Sequence, residues 1–174
     1  MRDGRAVIAD FSFKFGEVRR ETELAIAQVD SGQLRRSIDG DTNSIAVTMK
    51  HVGGNLKSRF TNFLTEDGEK PWRGRDREFV DDFPAGDAGR DAAHAAWSEG
   101  WCVLESALAS LSDIDLSRTV TIRGVPHSVS RALARSLAHV AYHQGQITLI
   151  ARILVGPERW KTISIPRSRS APGG

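Results

Sequence analysis

A chain of 174 residues with 40% apolar and 26% charged residues can bury a core of its own and has the make-up of an ordinary globular domain. A formal charge of +2 is too small to argue for a nucleic-acid partner, and no stretch approaches the roughly 18 uninterrupted apolar residues of a membrane span. The single cysteine, Cys102, excludes an internal disulfide and a cysteine-based zinc cluster.

Asp10, Lys14 and Glu17 break any signal-peptide core near the start, so a cytoplasmic location is expected. Helical periodicity begins with Ile8, Phe11, Phe15 and Val18 and extends through Ala25, Ile26 and Val29, until Ser31-Gly32 ends it. Phe13 lies off that stripe. A second helix is expected from about Thr42 to Leu64, with Ile45, Met49, Val52, Leu56, Phe60 and Phe63 on one face. Asp41, Thr42 and Asn43 are available as caps, and Glu66-Asp67-Gly68 closes it.

From Thr65 to about Gly89 the chain is polar and has no period; a connection of that length is usually functional or disordered. It contains Trp72, Arg73, Arg75, Asp76 and Glu78. These suit either a lid over a pocket, with Asp76 or Glu78 as base, or a loop held by its own salt bridges. A third helix is expected from about Arg90 to Ser110, striped by Trp97, Trp101, Leu104, Leu108 and Leu111. Cys102, between Trp101 and Val103, reads as a buried small hydrophobe. Trp97 and Trp101 read as core, although either could line an apolar pocket wall.

Alternation in Arg118–Arg123, broken by Gly124, predicts one short extended segment. The fourth helix starts near Ser128 or Ser130 and runs to about Val155, where Gly156-Pro157 stops it. Four helices of this length predict an all-α, antiparallel four-helix bundle. It forms a single domain over residues 1–174, with about 166–174 as a loose tail.

The chemistry lies in His139-Val-Ala-Tyr-His143. Residues four apart share a helix face, so both imidazoles can reach one ion. No Glu follows His139, which excludes the HExxH protease pattern. On the second helix Ser44, Thr48, His51, Asn55, Arg59 and Asn62 form a polar seam beside the apolar stripe. On the fourth, Ser136, His139, His143 and Gln146 do the same. Two such seams, with histidines in both, are how a bundle builds an internal metal site. Three neutral imidazoles leave a coordination position open, as in catalytic zinc sites, and such ligation should fade as pH falls through about 6.5. The alternative for these histidines is a surface or hydrogen-bonded core role. His94 reads as packing on the third helix and His127 as a turn or cap.

Arg59 could clamp a carboxylate or phosphate, or reach solvent or a loop acid. Asn55 would face the same cavity, and Gln146 could orient a ligand or lie on the helix surface. Trp101 joins Asn55, Arg59 and Gln146 as a candidate substrate contact. No nucleophile elbow, Gly-rich phosphate loop or dinucleotide pattern is present.

A histidine in the second helix followed by HxxxH in the fourth resembles the DinB/YfiT-like metalloenzyme superfamily. The segments MKHVGGNLKSRFTNFLTEDGEKPWRGRDREF, HVAYHQGQI and WKTISIPRSRS look like a bacterial subgroup without an assigned activity. The resemblance runs from about Phe11 to Ser170. It implies an up-down-down-up four-helix bundle, frequently a homodimer, with nickel or zinc on a triad matched by His51, His139 and His143. Relatives include thiol-dependent transferases and a mycothiol-dependent isomerase. The resemblance therefore implies a small-molecule substrate and a low-molecular-weight thiol as co-substrate. A metal-dependent hydrolase and a non-catalytic metal-binding or stress protein are the other classes in view.

Overall fold

Thirteen of the sixteen residues of the helix Ile45–Phe60 are buried, which makes it the central element around which the rest is arranged. The computed structural model describes residues 4–163; the tail expected over about 166–174 lies outside them. The described residues are mostly helical: α1 (Gly4–Ile26), α2 (Ser31–Arg35), α3 (Ile45–Phe60), α4 (Asp87–Ser110) and α5 (Val129–Val155), with a two-stranded sheet of β1 (Thr119–Ile122) and β2 (Val125–Ser128). Two 3-10 turns, Arg75–Phe79 and Asp113–Ser117, lie in the connections. Among the described residues no helix is long and apolar enough to cross a membrane.

The long helices pack in two close pairs, α1 with α5 and α3 with α4, and α3 meets α5 across the core. Phe15, Met49, Leu56, Trp101, Leu104, Leu133 and Ile147 fill the space between them. The α3–α4 contact depends on small residues. A Cβ on Gly53 would fall on the carbonyl of Ala96, and one on Gly100 would fall on the backbone of Gly53. Only glycine lets the two backbones approach this closely.

Several boundaries differ from the expected ones. Ser31-Gly32 does not simply end a helix. It opens α2, nucleated by Asp30, whose side chain accepts from the Gln33 N–H while Gln33 returns a bond to the Asp30 N–H. Five residues are too few to display a helical period. α3 starts after the expected caps, because Asp39 accepts from both the amide and the hydroxyl of Thr42 and holds a competing turn. Ser44 is the actual cap, accepting from Val47 N–H at 3.2 Å. The helix stops at Phe60, and Asn62 beyond it is left-handed, with φ of 48°. Phe63 still packs on Phe60, ring centroids 4.9 Å apart.

The expected extended segment is half of a hairpin. β1 and β2 pair antiparallel from Thr119↔Ser128 to Ile122↔Val125. Arg123 and Gly124 connect them, both with positive φ, 55° and 72°, as a two-residue turn of primed type requires. The Asp67 carboxylate accepts from the backbone N–H groups of both turn residues at 2.8 Å. Burial opposes its ionisation, but these backbone bonds and the one from Glu69 win and lower its pKa to about 2. The connection after α3 is thereby tied to the hairpin before α5.

Candidate metal centre

Three imidazoles converge where α3 crosses α5. His51 comes from the middle of α3, and His139 and His143 lie one turn apart on α5. One nitrogen from each falls within 4.8 Å of the others. The Nε2 atoms of His51 and His139 are 3.3 Å apart. Two imidazole nitrogens at zinc-ligand distance with a tetrahedral angle between them would be separated by about 3.3–3.4 Å. Ring centroids of 5.3, 5.0 and 4.6 Å between the three pairs complete the triangle.

The second nitrogen on two of the rings decides which atom faces inward. His51 Nδ1 lies 2.9 Å from a Glu78 carboxylate oxygen, and His143 Nδ1 lies 2.7 Å from Gln146 Oε1. Both oxygens only accept, so both Nδ1 atoms carry the proton and both Nε2 lone pairs are free. This is the arrangement that orients histidine ligands and raises their basicity. A simple His51–His139 hydrogen bond would explain one distance, but neither the third ring nor the tautomers. Burial, with the neighbouring histidines and Arg73 and Arg59 adding to it, lowers the His139 pKa to about 3. Burial also lowers that of His143, against the raising effect of its bond to Gln146. Both rings are therefore neutral at physiological pH, the state that ligation needs. The donor set fits a divalent metal.

Glu78 is the residue that sequence reasoning left undecided. It rides on the turn Arg75–Phe79, folded over α3, and its side chain is buried against Gly54. A Cβ at Gly54 would collide with that carboxylate. Arg73 grips Glu78 with two bonds of 2.8 Å, Nε to Oε1 and Nη2 to Oε2. Burial pushes the Glu78 carboxyl up, but the bonds from Arg73 and His51 outweigh it and keep it below its usual range. The loop is thus joined by its own salt bridges and also bears on the site. The available signal was an acid in an aperiodic loop opposite a Gly-Gly step in a helix.

Beside the histidines lies a polar cavity of about 180 Å³. His51 and His139 form part of its wall, with Asn55 one turn and Arg59 two turns beyond His51. The two polar seams face each other here as expected, with Ser136 of α5 on the opposite side. Gln146 supports His143. Trp101 lies elsewhere, fully buried against Phe15 and Trp97 with centroids 6.3 and 5.4 Å away, and is not part of the cavity wall. Cys102 is exposed, contrary to expectation. Trp101 takes the inward position on α4, and the next residue, about 100° around the helix, points away from the core. His127 is buried in β2 and His94 half-buried on α4; neither joins the triad.

No curated protein and no solved structure shows a significant match to this chain. A family model described as "Protein of unknown function (DUF1572)" matches residues 3–169. That span is nearly the whole sequence, and it includes all three histidines, Glu78 and every arginine of the cavity: the chain belongs to the DUF1572 family.

Proposed function

We propose that this protein is a metal-dependent enzyme of the DinB-like kind, a four-helix bundle of up-down-down-up winding. It holds nickel or zinc on His51, His139 and His143 and transfers a group between a small molecule and a low-molecular-weight thiol. The observation carrying this reading is the convergence of three imidazoles, two of them with tautomers set by Glu78 and Gln146, on the edge of a polar cavity. Structural metal sites are closed by four protein ligands, whereas three ligands beside a cavity leave room for substrate.

A divalent cation at such a site supplies Lewis acidity and lowers the pKa of a bound thiol or water. The chain's own residues do the rest. Arg73 anchors Glu78, and Glu78 holds the His51 ring in one tautomer and orientation. Gln146 does this for His143. Asn55 and Arg59 face the space a substrate would fill, and Phe79, its ring centroid 4.5 Å from that of His51, packs against this ligand from the loop side. In the cell we place it as a cytoplasmic homodimer.

The test is a turnover screen on metal-loaded protein, pairing low-molecular-weight thiols with electrophiles, beside esters and amides without thiol. Product formation that needs both metal and thiol is expected. Turnover with water alone would replace transfer by hydrolysis. A metal-filled protein inert toward every pair would leave a metal-binding protein instead.

A further inference from the structure

The wall of the cavity beside the histidines carries more positive charge than its neighbours neutralise. Arg59 reaches it from α3, Arg75 from the 3-10 turn, Arg123 from the hairpin and Arg135 from α5. Four separate segments of the chain therefore each contribute an arginine to the wall of one space of about 180 Å³.

Their counter-charges are few. The Arg59 side chain is 6% exposed, and its nearest carboxylate is Glu69, 4.0 Å from Nη2. Glu69 is already engaged by Arg123 at 3.1 Å and Arg73 at 3.4 Å. Arg59 Nη1 is buried beside Gly68 with no hydrogen-bond partner among the described residues. Among the described residues Arg75 has one ion pair, with Asp76 at 3.5 Å on an almost fully exposed carboxylate, and its guanidinium lies over the Phe79 ring at 5.5 Å. Arg135 makes no ion pair among the described residues. A buried guanidinium nitrogen left without an acceptor is costly, and crowding like charges adds to that cost. Burial and the neighbouring Arg73, Arg135 and Arg123 lower the Arg59 pKa to about 10 despite Glu69, so it is still a cation at neutral pH. Guanidinium groups do nothing to attract a metal ion. Planar forks converging on a small space match an oxyanion.

We propose that this cavity is an oxyanion-binding subsite, in which Arg59 and Arg135, assisted by Arg75 and Arg123, hold a carboxylate, phosphate or sulfonate group of the substrate. Assigning that anion to a substrate rests on the metal-enzyme reading above; the anion site itself rests on the arginines alone. The cavity's size restricts the ligand to a small molecule, because a nucleic-acid strand needs a groove rather than a chamber of this volume.

The experiment is calorimetric titration of the full-length chain, at constant ionic strength in chloride, with inorganic phosphate, sulfate and succinate as separate probes. The arms separate the oxyanion types, and one saturable site per chain is expected for at least one of them. Arg59→Met and Arg135→Ala should each weaken it about tenfold or more, as expected for losing a charge-assisted bond. Arg135 is exposed, so its replacement tests the site even if Arg59→Met disturbs folding. His143→Ala should keep anion binding, since His143 is not in the cavity wall; this variant separates the fate of the anion site from that of the metal reading. Absence of saturable binding by all three probes would overturn the proposal. So would binding that survives both arginine replacements but disappears in His143→Ala, which would put the anion on the metal.

Discussion

Glu78 does its work through another residue. It accepts from His51 and is itself held by Arg73, so Glu78→Ala removes the group that orients a ligand and leaves the buried Arg73 guanidinium only its longer contact with Glu69. Metal affinity, read by competition with a chromophoric chelator, should fall about 10- to 100-fold. Glu78→Gln retains an acceptor and should lose less. Equal affinity in wild type and Glu78→Ala would deny Glu78 this role.

Acid sensitivity follows from the buried histidines. In the folded, metal-free chain burial lowers the His139 pKa to about 3, whereas an ordinary histidine takes up a proton near 6.5. Between those values the unfolded chain binds more protons, so stability rises with pH across that window and is lost as pH falls through it. Above it this histidine makes stability neither rise nor fall. Urea midpoints for the metal-free protein should therefore drop from pH 6.5 toward acid. Because His139 and His143 both resist protonation, metal release should set in below the 6.5 of free imidazole that spacing alone suggests. Release centred at or above 6.5 would contradict the burial of these rings. The histidines were legible because i, i+4 spacing and a polar seam are written in the order of residues. Glu78 was not, since an aperiodic loop does not reveal which of its acids folds inward. Cys102 was misread because its neighbours in sequence are not its neighbours on the helix face.

Elements with a long apolar stripe were readable. α3, α4 and α5 stand within a few residues of their expected bounds, because four or more turns of periodic burial outweigh the choice of cap. α2 and β2 were hidden for the opposite reason: four or five residues carry no period, and their existence depends on a capping box and on pairing with β1. Nor was the α3–α4 contact visible, since glycine inside a helix reads as a weakness until its partner is known. Gly53→Ala tests it. The added methyl would meet the Ala96 carbonyl, which belongs to backbone and cannot swing aside. Denaturant unfolding should show a loss of about 1–3 kcal/mol or more, against the slight gain that Ala brings to an open helix position. A neutral result would mean that the helices do not approach so closely.

At the scale of the molecule, folding and metal binding draw on different faces of the same helices. The core cluster of α3 and α5 does not include the histidines, so histidine replacements should leave circular dichroism unchanged. The expected homodimer would bury apolar surface that a single chain leaves exposed. Phe13 is 65% exposed, and Tyr142, Leu149 and Ile153 form an uncovered stripe along α5 at seven- and four-residue steps. Light scattering at tens of micromolar should give twice the chain mass of 19.1 kDa, and Phe13→Ser should shift it toward the monomer. A monomeric mass for wild type would remove the dimer.

The most direct measurement is metal content per chain, by elemental analysis, for wild type and the single variants His51→Ala, His139→Ala and His143→Ala, loaded and washed identically. His94→Ala and His127→Ala serve as controls outside the triad. Three convergent imidazoles predict one divalent ion per wild-type chain, retained in both controls and lost by each triad variant while the fold persists. Equal metal content in wild type and His143→Ala would contradict the account.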